Sequence, residues 1–277
     1  MSTDNPISSC GAIIVANHDM DTTALLVESP NGDIYVYAHR APGKLTKNED
    51  SAGVFDCKDN ACVLAIADGM GGMPCGSEAS KIAISSLGAS LRQSGIVESG
   101  FRGAILDGIE TANASILALG VGAGTTLAAV EIDHNVLRPY HVGDSMILVV
   151  GQRGKIKLQT ISHSPVGYAL EAGMLDENEA IHHDERHVVS NVVGDVEMRV
   201  EMGSPIPLSR FDTVLVASDG LFDNMKMQEI VDVVRKGALD VVAQVLINTC
   251  GQRMKRPELD QPSKPDDISF ILFRRCR

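Results

Sequence analysis

Residues 63–72 (VLAIADGMGG) join a continuous apolar run to an aspartate that is followed at once by a glycine. A short apolar run of this kind predicts a β-strand that is buried on both faces. An aspartate at the tip of such a strand, here Asp68, is held rigidly at the sheet edge. Gly69 lets the backbone turn sharply and leaves its carbonyl oxygen available as a further ligand. This stretch therefore predicts two kinds of oxygen ligand at the edge of a sheet.

Three further aspartates lie directly beside predicted strands: Asp50 before residues 51–55, Asp219 after residues 213–217, and Asp266 before residues 268–273. Four such carboxylates, converging from distant parts of the chain, would form an oxygen-rich site suited to Mg²⁺ or Mn²⁺. Without cations between them, clustered carboxylates would repel one another. A single Asp-Gly pair is more often an ordinary turn, but the ordered set favours a metal site.

Apolar spacing predicts the remaining architecture. Residues 79–87 and 101–116 have the periodicity of amphipathic helices, and Ser77 is the predicted N-cap of the first. Four short strand candidates follow, which predict an antiparallel meander: residues 126–132, 137–142, 145–150 and 155–160. Strands, helices, strands, helices and a final strand indicate an α+β layered fold with antiparallel sheets. No repeat or linker divides the sequence, so residues 1–277 are predicted to form a single domain.

Composition excludes several classes of protein. The 24 basic residues against 36 acidic ones give a net charge of −12, which would repel nucleic acid. No apolar run approaches the roughly 20 residues that cross a bilayer, so no membrane association is expected. Residues 1–5 lack the basic start of a secretory signal. The six cysteines form no Cys-x-x-Cys motif and are expected to be reduced thiols, mostly buried, of a cytoplasmic protein.

Six short motifs occur in a fixed order between Lys44 and Arg274: NED at 48–50, ADGMGG at 67–72, GTT at 124–126, HVGDS at 141–145, ASDGLFD at 217–223 and DDIS at 266–269. In this order and spacing, the chain resembles the PPM-type (type 2C) metal-dependent serine/threonine protein phosphatases, in their bacterial-type branch. The resemblance implies a central sandwich of two antiparallel β-sheets flanked by helices, with metals in a cleft at one edge.

The resemblance also implies roles for individual residues. The implied ligands of two Mn²⁺ or Mg²⁺ ions are Asp50, Asp68, the carbonyl of Gly69, Asp219 and Asp266, with Asp68 bridging both ions. Asp266 is preferred over Asp267 because the family ligand is the first residue of that motif. Asp144 resembles a ligand of a third, weaker ion, and an ordinary turn aspartate is the alternative. Asp50 and Asp68 would thus carry the catalysis.

The implied reaction is hydrolysis of phosphoserine and phosphothreonine in proteins, and the implied role is in signalling. A water activated by two metal ions attacks in line, without a covalent intermediate. The expected partner is a phosphorylated protein substrate, and the enzyme is expected to be a monomer. The polar residues 162–191 are predicted to form a mobile flap over the cleft that helps to choose substrates, with His163 as a structural or surface histidine.

Leu45 departs from the family pattern, because relatives usually carry there an arginine that grips the substrate phosphate. Lys44 and Lys47 are the predicted phosphate-binding residues instead, although lysine lacks the bidentate fork of arginine. Two alternatives therefore stay open. The first is a pseudophosphatase that serves as a binding module, and the second is a two-metal phosphatase of small phosphoesters.

Overall fold

The computed structural model describes residues 11–14, 22–29, 32–57, 61–70, 75–93, 100–258 and 261–275. The strands are β1 (Gly11–Ile14), β2 (Thr22–Ser29), β3 (Gly32–His39), β4 (Asp50–Cys57), β5 (Ala61–Asp68), β6 (Leu127–Asp133), β7 (Val136–Val142), β8 (Met146–Val150), β9 (Ile156–Gln159), β10 (Glu201–Met202), β11 (Ile206–Pro207), β12 (Thr213–Ala217) and β13 (Ile268–Arg274). The helices are α1 (Gly76–Gln93), α2 (Gly100–Leu117), α3 (Pro165–Glu171), α4 (Glu177–Ile181), α5 (Asp219–Phe222), α6 (Met227–Val234) and α7 (Leu239–Lys255).

The strands form two antiparallel sheets. The first sheet has the order β1-β4-β5-β6-β7-β10, and β11 also pairs with β7. The second sheet has the order β2-β3-β13-β12-β8-β9. Their inner faces form one apolar cluster, to which the first sheet contributes Val54 and Leu64 and the second Val36 and Val216. Burial of these side chains between two sheets holds the sandwich together.

Helices cover both outer faces of the sandwich. The predicted apolar faces of α1 and α2 are buried against the first sheet, as at Leu87 and Ile105. Helices α5 to α7 bury Leu221, Val231 and Leu246 against the second sheet. This helix–sheet–sheet–helix order confirms the predicted fold class. The predicted N-cap is wrong, because α1 begins at Gly76 and Ser77 lies in its first turn.

The predicted four-stranded meander is also wrong. β6 and β7 pair in the first sheet, whereas β8 and β9 pair in the second. The chain changes sheet at Gly143, whose φ of +100° is one that residues with a side chain rarely adopt. A Cβ there would lie 2.7 Å from Cβ of Thr126. This crossing brings Asp144 to the end of the sandwich where β5 and β12 also end.

The sequence predicts no membrane-spanning segment and mostly buried, reduced cysteines, and the described residues bear on both predictions. None of the helices in that part of the chain is both long and apolar enough to cross a membrane. Cys57, Cys62 and Cys250 are buried, Cys75 is exposed, and each of these four is a thiol outside any disulfide. Cys10 and Cys276 lie outside the described residues.

Candidate metal centre

The strand-end aspartates of both sheets lie at one edge of the sandwich. Asp50 and Asp68 face each other across β4 and β5 of the first sheet. Ser218, at the end of β12 in the second sheet, donates a hydrogen bond from Oγ to Asp50 Oδ2 at 3.0 Å. Asp219 follows Ser218 directly, and Asp266 lies just before β13, which pairs with β12. The structure therefore brings the four aspartates together.

Burial makes this edge unfavourable for negative charge. Asp50 is 1% exposed, and its burial, with the charges of Asp267, Asp266 and Asp219, raises its pKa to about 8. Burial also raises the pKa of Asp68, and the charges of Asp50 and Asp219 raise it further. Carboxylates this close oppose one another's ionisation. A bound divalent cation would remove that cost.

Two oxygens at this edge fit a metal ion directly. Asp50 Oδ1 and Asp219 Oδ1 are buried and accept no hydrogen bond from the described residues. Buried polar atoms are nearly always paired, so an unpaired carboxylate oxygen points to a ligand. The donor atoms here are all oxygen, which hard cations such as Mg²⁺ and Mn²⁺ prefer. The residues therefore fit a divalent metal centre.

The backbone around Asp68 is fixed by short contacts. The amide of Asp68 donates to Thr126 Oγ1 at 3.0 Å, and the amide of Thr126 donates to the Asp68 carbonyl at 2.8 Å. A Cβ on Gly69 would lie 2.2 Å from the carbonyl oxygen of Gly76. The close approach of α1 thus requires glycine at 69, and it packs the backbone beside the Asp68 carboxylate tightly.

Lys264 and Asp223 belong to the same cluster, although the sequence pattern predicted neither as a site residue. Lys264 Nζ lies 2.5 Å from Asp219 Oδ2, 2.9 Å from Asp223 Oδ2 and 3.2 Å from Asp266 Oδ2. Their only signal in the sequence is position: Lys264 lies two residues before Asp266, and Asp223 ends the ASDGLFD motif. Asp144 lies close enough for the charges of Asp219 and Asp223 to affect its pKa.

The two lysines predicted to bind phosphate lie in different surroundings. Lys44 Nζ lies 2.6 Å from both Glu49 Oε2 and Asp267 Oδ2. Asp267 also accepts hydrogen bonds from the backbone amides of Ala41 and Glu49, so both of its oxygens are occupied. Lys47 is exposed. Leu45 is 98% exposed, and its side chain does not replace the missing arginine in any contact with the cluster.

A cavity of about 450 Å³ adjoins the aspartates. Asp144, Asp219 and Asp223 line one side, and Val166 and Leu170 of α3 line another. The segment 162–191, predicted to be a flap, therefore borders the carboxylate cluster, and its mobility stays a prediction. Arg186 of this segment donates to the carbonyl of Ser263 at 3.1 Å and so connects the segment to the loop that carries Lys264.

A second group of possible metal ligands lies on the other side of Gly143, where the rings of His141 and His163 stack at 4.3 Å. His163 Nδ1 accepts from the amide of Gly143 at 3.0 Å and from Asn191 Nδ2 at 2.9 Å, and its Nε2 lies 3.1 Å from Glu201 Oε2. His141 Nε2 donates to the carbonyl of Ile161 at 2.9 Å. Hereafter His141, His163 and Glu201 are called the histidine cluster. His163 is buried and fully paired.

Comparison with known proteins identifies the family. The model of the family described as protein phosphatase 2C matches residues 37–259. The chain is 30% identical over 242 residues to the serine/threonine phosphatase Stp of Listeria welshimeri, and the match covers 82% of this chain and 90% of that protein.

Solved structures agree with that match. The serine/threonine phosphatase of S. agalactiae superimposes with a TM-score of 0.74 at 30% identity, over 87% of this chain and 98% of that one. The catalytic domain of the serine threonine protein phosphatase PstP, in complex with 2 manganese ions, shares the fold with a TM-score of 0.70 at 22% identity, over 88% and 98% of the two chains. The predicted resemblance is confirmed: the chain belongs to the protein phosphatase 2C family of serine/threonine phosphatases.

Proposed function

We propose that this chain hydrolyses phosphoserine and phosphothreonine in phosphoproteins and depends on two divalent cations. The observation that carries the proposal is the edge of the sandwich, where aspartates of both sheets meet with unpaired, buried oxygens. Membership in the protein phosphatase 2C family supports the same reaction.

The proposed ligands are Asp50, Asp68, the carbonyl of Gly69, Asp219 and Asp266. When bound, two divalent cations supply an acidified water and the positive charge that stabilises the transferred phosphoryl group. Ser218 Oγ would hold the Asp50 carboxylate in its orientation. Asp267 is held by Lys44 and two backbone amides, whereas Asp266 accepts one backbone hydrogen bond, at 2.9 Å from the Asp267 amide, and lies 3.2 Å from Lys264. The less constrained Asp266 is therefore the proposed ligand of the two neighbours. Both Mn²⁺ and Mg²⁺ suit this set.

Lys44 and Lys47 are the proposed contacts to the substrate phosphate. Lys44 is connected through Asp267 to the loop before Ile268, which also carries Asp266, so its charge lies near the centre. We expect Lys44→Met to raise KM for a phosphopeptide more than Lys47→Met does, because Lys44 is fixed beside this loop whereas the Lys47 side chain is exposed. Steady-state kinetics of the two variants would check this order.

The test of the function is turnover of a phosphothreonine peptide and of para-nitrophenyl phosphate, with Mn²⁺, Mg²⁺ or EDTA. Asp68→Asn should abolish turnover, and EDTA should do the same for the unsubstituted enzyme. Asp107→Asn is the matched control, because Asp107 is exposed on α2. Turnover of the peptide without metal, or full activity of Asp68→Asn, would overturn the proposal.

The same measurements separate the alternatives. Two bound metals without turnover of either substrate would favour a binding module, for which the exposed Leu45 is the relevant feature. Turnover of para-nitrophenyl phosphate with little activity on the peptide would favour a phosphatase of small phosphoesters. A clear preference for the peptide is the outcome expected of a phosphoprotein phosphatase.

A further inference from the structure

The Lys264 ammonium occupies a site built from three carboxylates of separate segments. Its Nζ lies 2.5 Å from Asp219, 2.9 Å from Asp223 and 3.2 Å from Asp266. The ammonium donates a hydrogen bond to Asp219 Oδ2 and forms ion pairs with Asp223 and Asp266. The Lys264 side chain is only 20% exposed, so water screens its charge less than that of a surface lysine. Lys264 is thus a fixed cation within the cluster.

The backbone of Lys264 is locked in place by a buried asparagine. The amide of Lys264 donates to Asn224 Oδ1 at 2.9 Å, and Asn224 Nδ2 donates to the Lys264 carbonyl at 2.8 Å. Asn224 is completely buried and also donates to the carbonyl of Gly220, next to Asp219. The neighbouring Ser263 Oγ donates to the carbonyl of Arg253. These bonds fix Lys264 relative to the aspartates independently of its own ion pairs.

Asp144 adds a carboxylate on the same side of the centre. Its burial, with the charges of Asp219 and Asp223, raises its pKa to about 8, and the charge of Lys264 opposes that rise. The Lys264 charge therefore acts on Asp144 as well as on its three direct partners. Asp144, Asp219 and Asp223 together are the carboxylates that could hold a further cation beyond the pair at Asp50 and Asp68.

We propose that the Lys264 ammonium takes the place of a third divalent cation, so that this chain binds two ions and no third. The proposal rests on the two-metal centre proposed above. A third divalent ion held by Asp219 and Asp223 would lie beside the ammonium that both carboxylates already contact, and the two cations would repel each other. Two divalent ions and one ammonium already come close to neutralising the surrounding carboxylates. Those carboxylates belong to six aspartates: Asp50, Asp68, Asp144, Asp219, Asp223 and Asp266.

The test counts bound Mn²⁺ by calorimetric titration and by electron paramagnetic resonance of the free ion, up to millimolar Mn²⁺. The unsubstituted protein should saturate with two ions per chain. Lys264→Met should bind a third, weaker ion, and Asp144→Asn added to Lys264→Met should return the count to two. Lys236→Met is the matched control, because Lys236 is exposed and lies away from the aspartates. Its neighbour Gly237 accepts a hydrogen bond from Arg274, which is at the end of β13 opposite Asp266.

Two results would overturn the proposal: three ions on the unsubstituted protein, or only two on a Lys264→Met protein that circular dichroism shows to be folded. Should Lys264→Met fail to fold, Lys264→Gln removes the charge while keeping hydrogen-bond donors, and the same counts apply. Fewer than two ions on the unsubstituted protein would contradict the proposed two-metal centre itself rather than the role proposed for Lys264.

Discussion

The carboxylate edge, which consists of Asp50, Asp68, Asp219 and Asp266, and the histidine cluster both bring metal-binding side chains together, but they differ in how their polar atoms are paired. At the carboxylate edge, Asp50 Oδ1 and Asp219 Oδ1 are buried and accept no hydrogen bond from the described part of the chain. In the histidine cluster, both nitrogens of His163 are already paired with Gly143, Asn191 and Glu201. Possible ligand atoms lie close together in both regions. The carboxylate edge leaves buried oxygens without a hydrogen bond, whereas both nitrogens of His163 are paired.

The pairing of ligand atoms, more than their proximity, therefore indicates where a metal would bind. A metal at His163 would have to displace hydrogen bonds that satisfy a buried amide, at a cost of about 1–3 kcal/mol for each group left unpaired. A metal at Asp50 would instead satisfy an oxygen that has no donor among the described residues and relieve repulsion among carboxylates. The energetic balance therefore favours the carboxylate edge for cations and a structural role for the histidines.

The largest expected effect comes from Asp50→Asn. We expect kcat/KM to fall by more than about 100-fold, which exceeds the usual effect of changing a partner outside the metal ligands. The metal-free protein should nevertheless become more stable, because the folded form must keep a proton on Asp50 that the unfolded chain releases, and a neutral amide removes that cost while it still accepts from Ser218. Kinetics with Mn²⁺ and urea unfolding in EDTA measure the two effects.

Opposite signs for activity and stability are what identify Asp50 as a ligand. Replacing a purely structural aspartate would lower activity and stability together. Asp107→Asn, on the exposed face of α2, should change neither quantity. A fall in the unfolding free energy of metal-free Asp50→Asn would contradict the conclusion that the unpaired Asp50 oxygen indicates a metal site.

Sequence could predict the carboxylate edge because each strand-end aspartate is a local pattern, and the ends of neighbouring strands meet at one edge. Lys264 was not predictable in this way, since its contacts depend on how the loop before β13 packs against Asn224, 40 residues away. The error at Gly143 has a similar cause. Alternating apolar residues look alike whether the next strand joins the same sheet or the opposite one.

The second prediction concerns pH. In the metal-free protein, Asp50 and Asp144 have pKa values raised to about 8 from the ordinary 3.8. Between these two values the unfolded chain has already lost both protons, whereas the folded form still holds them. Raising the pH therefore favours the unfolded chain, and the contribution of these protons to stability is lost as pH rises through about 8. We expect Tm in EDTA to fall as the pH rises from about 6.5 to about 8.

Saturating Mn²⁺ should remove or reverse that fall, because ions bind the deprotonated carboxylates of the folded form. Burial lowers the pKa of His141, so the stability contributed by its neutral ring is present above the ordinary value of 6.5 and is lost only at lower pH. Asp50→Asn should reduce the slope in EDTA. A Tm in EDTA that rises steadily over the same interval would count against the raised pKa values.

A smaller effect, confined to stability, is expected for His163→Leu. Leucine leaves the amide of Gly143 without its acceptor and removes one of the two acceptors of Asn191 Nδ2, so the free energy of unfolding should fall by about 2 kcal/mol. His187→Leu is the matched control, because His187 is exposed. Mn²⁺ affinity of the folded His163→Leu protein should stay within a few-fold. Loss of Mn²⁺ binding would show that the two regions act as one site.

The smallest effect is expected for Glu201→Gln. The Glu201 side chain is 52% exposed, and glutamine can still accept a hydrogen bond from His163 Nε2, so the free energy of unfolding should change by less than about 1 kcal/mol. The sharper measurement adds Zn²⁺, which binds imidazole and carboxylate ligands well. In an Asp68→Asn background, which weakens the carboxylate edge, Zn²⁺ should change Tm by the same amount whether or not Glu201→Gln is also present. If Glu201→Gln abolished a stabilisation by Zn²⁺, the histidine cluster would bind metal despite its hydrogen bonds. The pairing of ligand atoms would then not distinguish the metal site from the structural one.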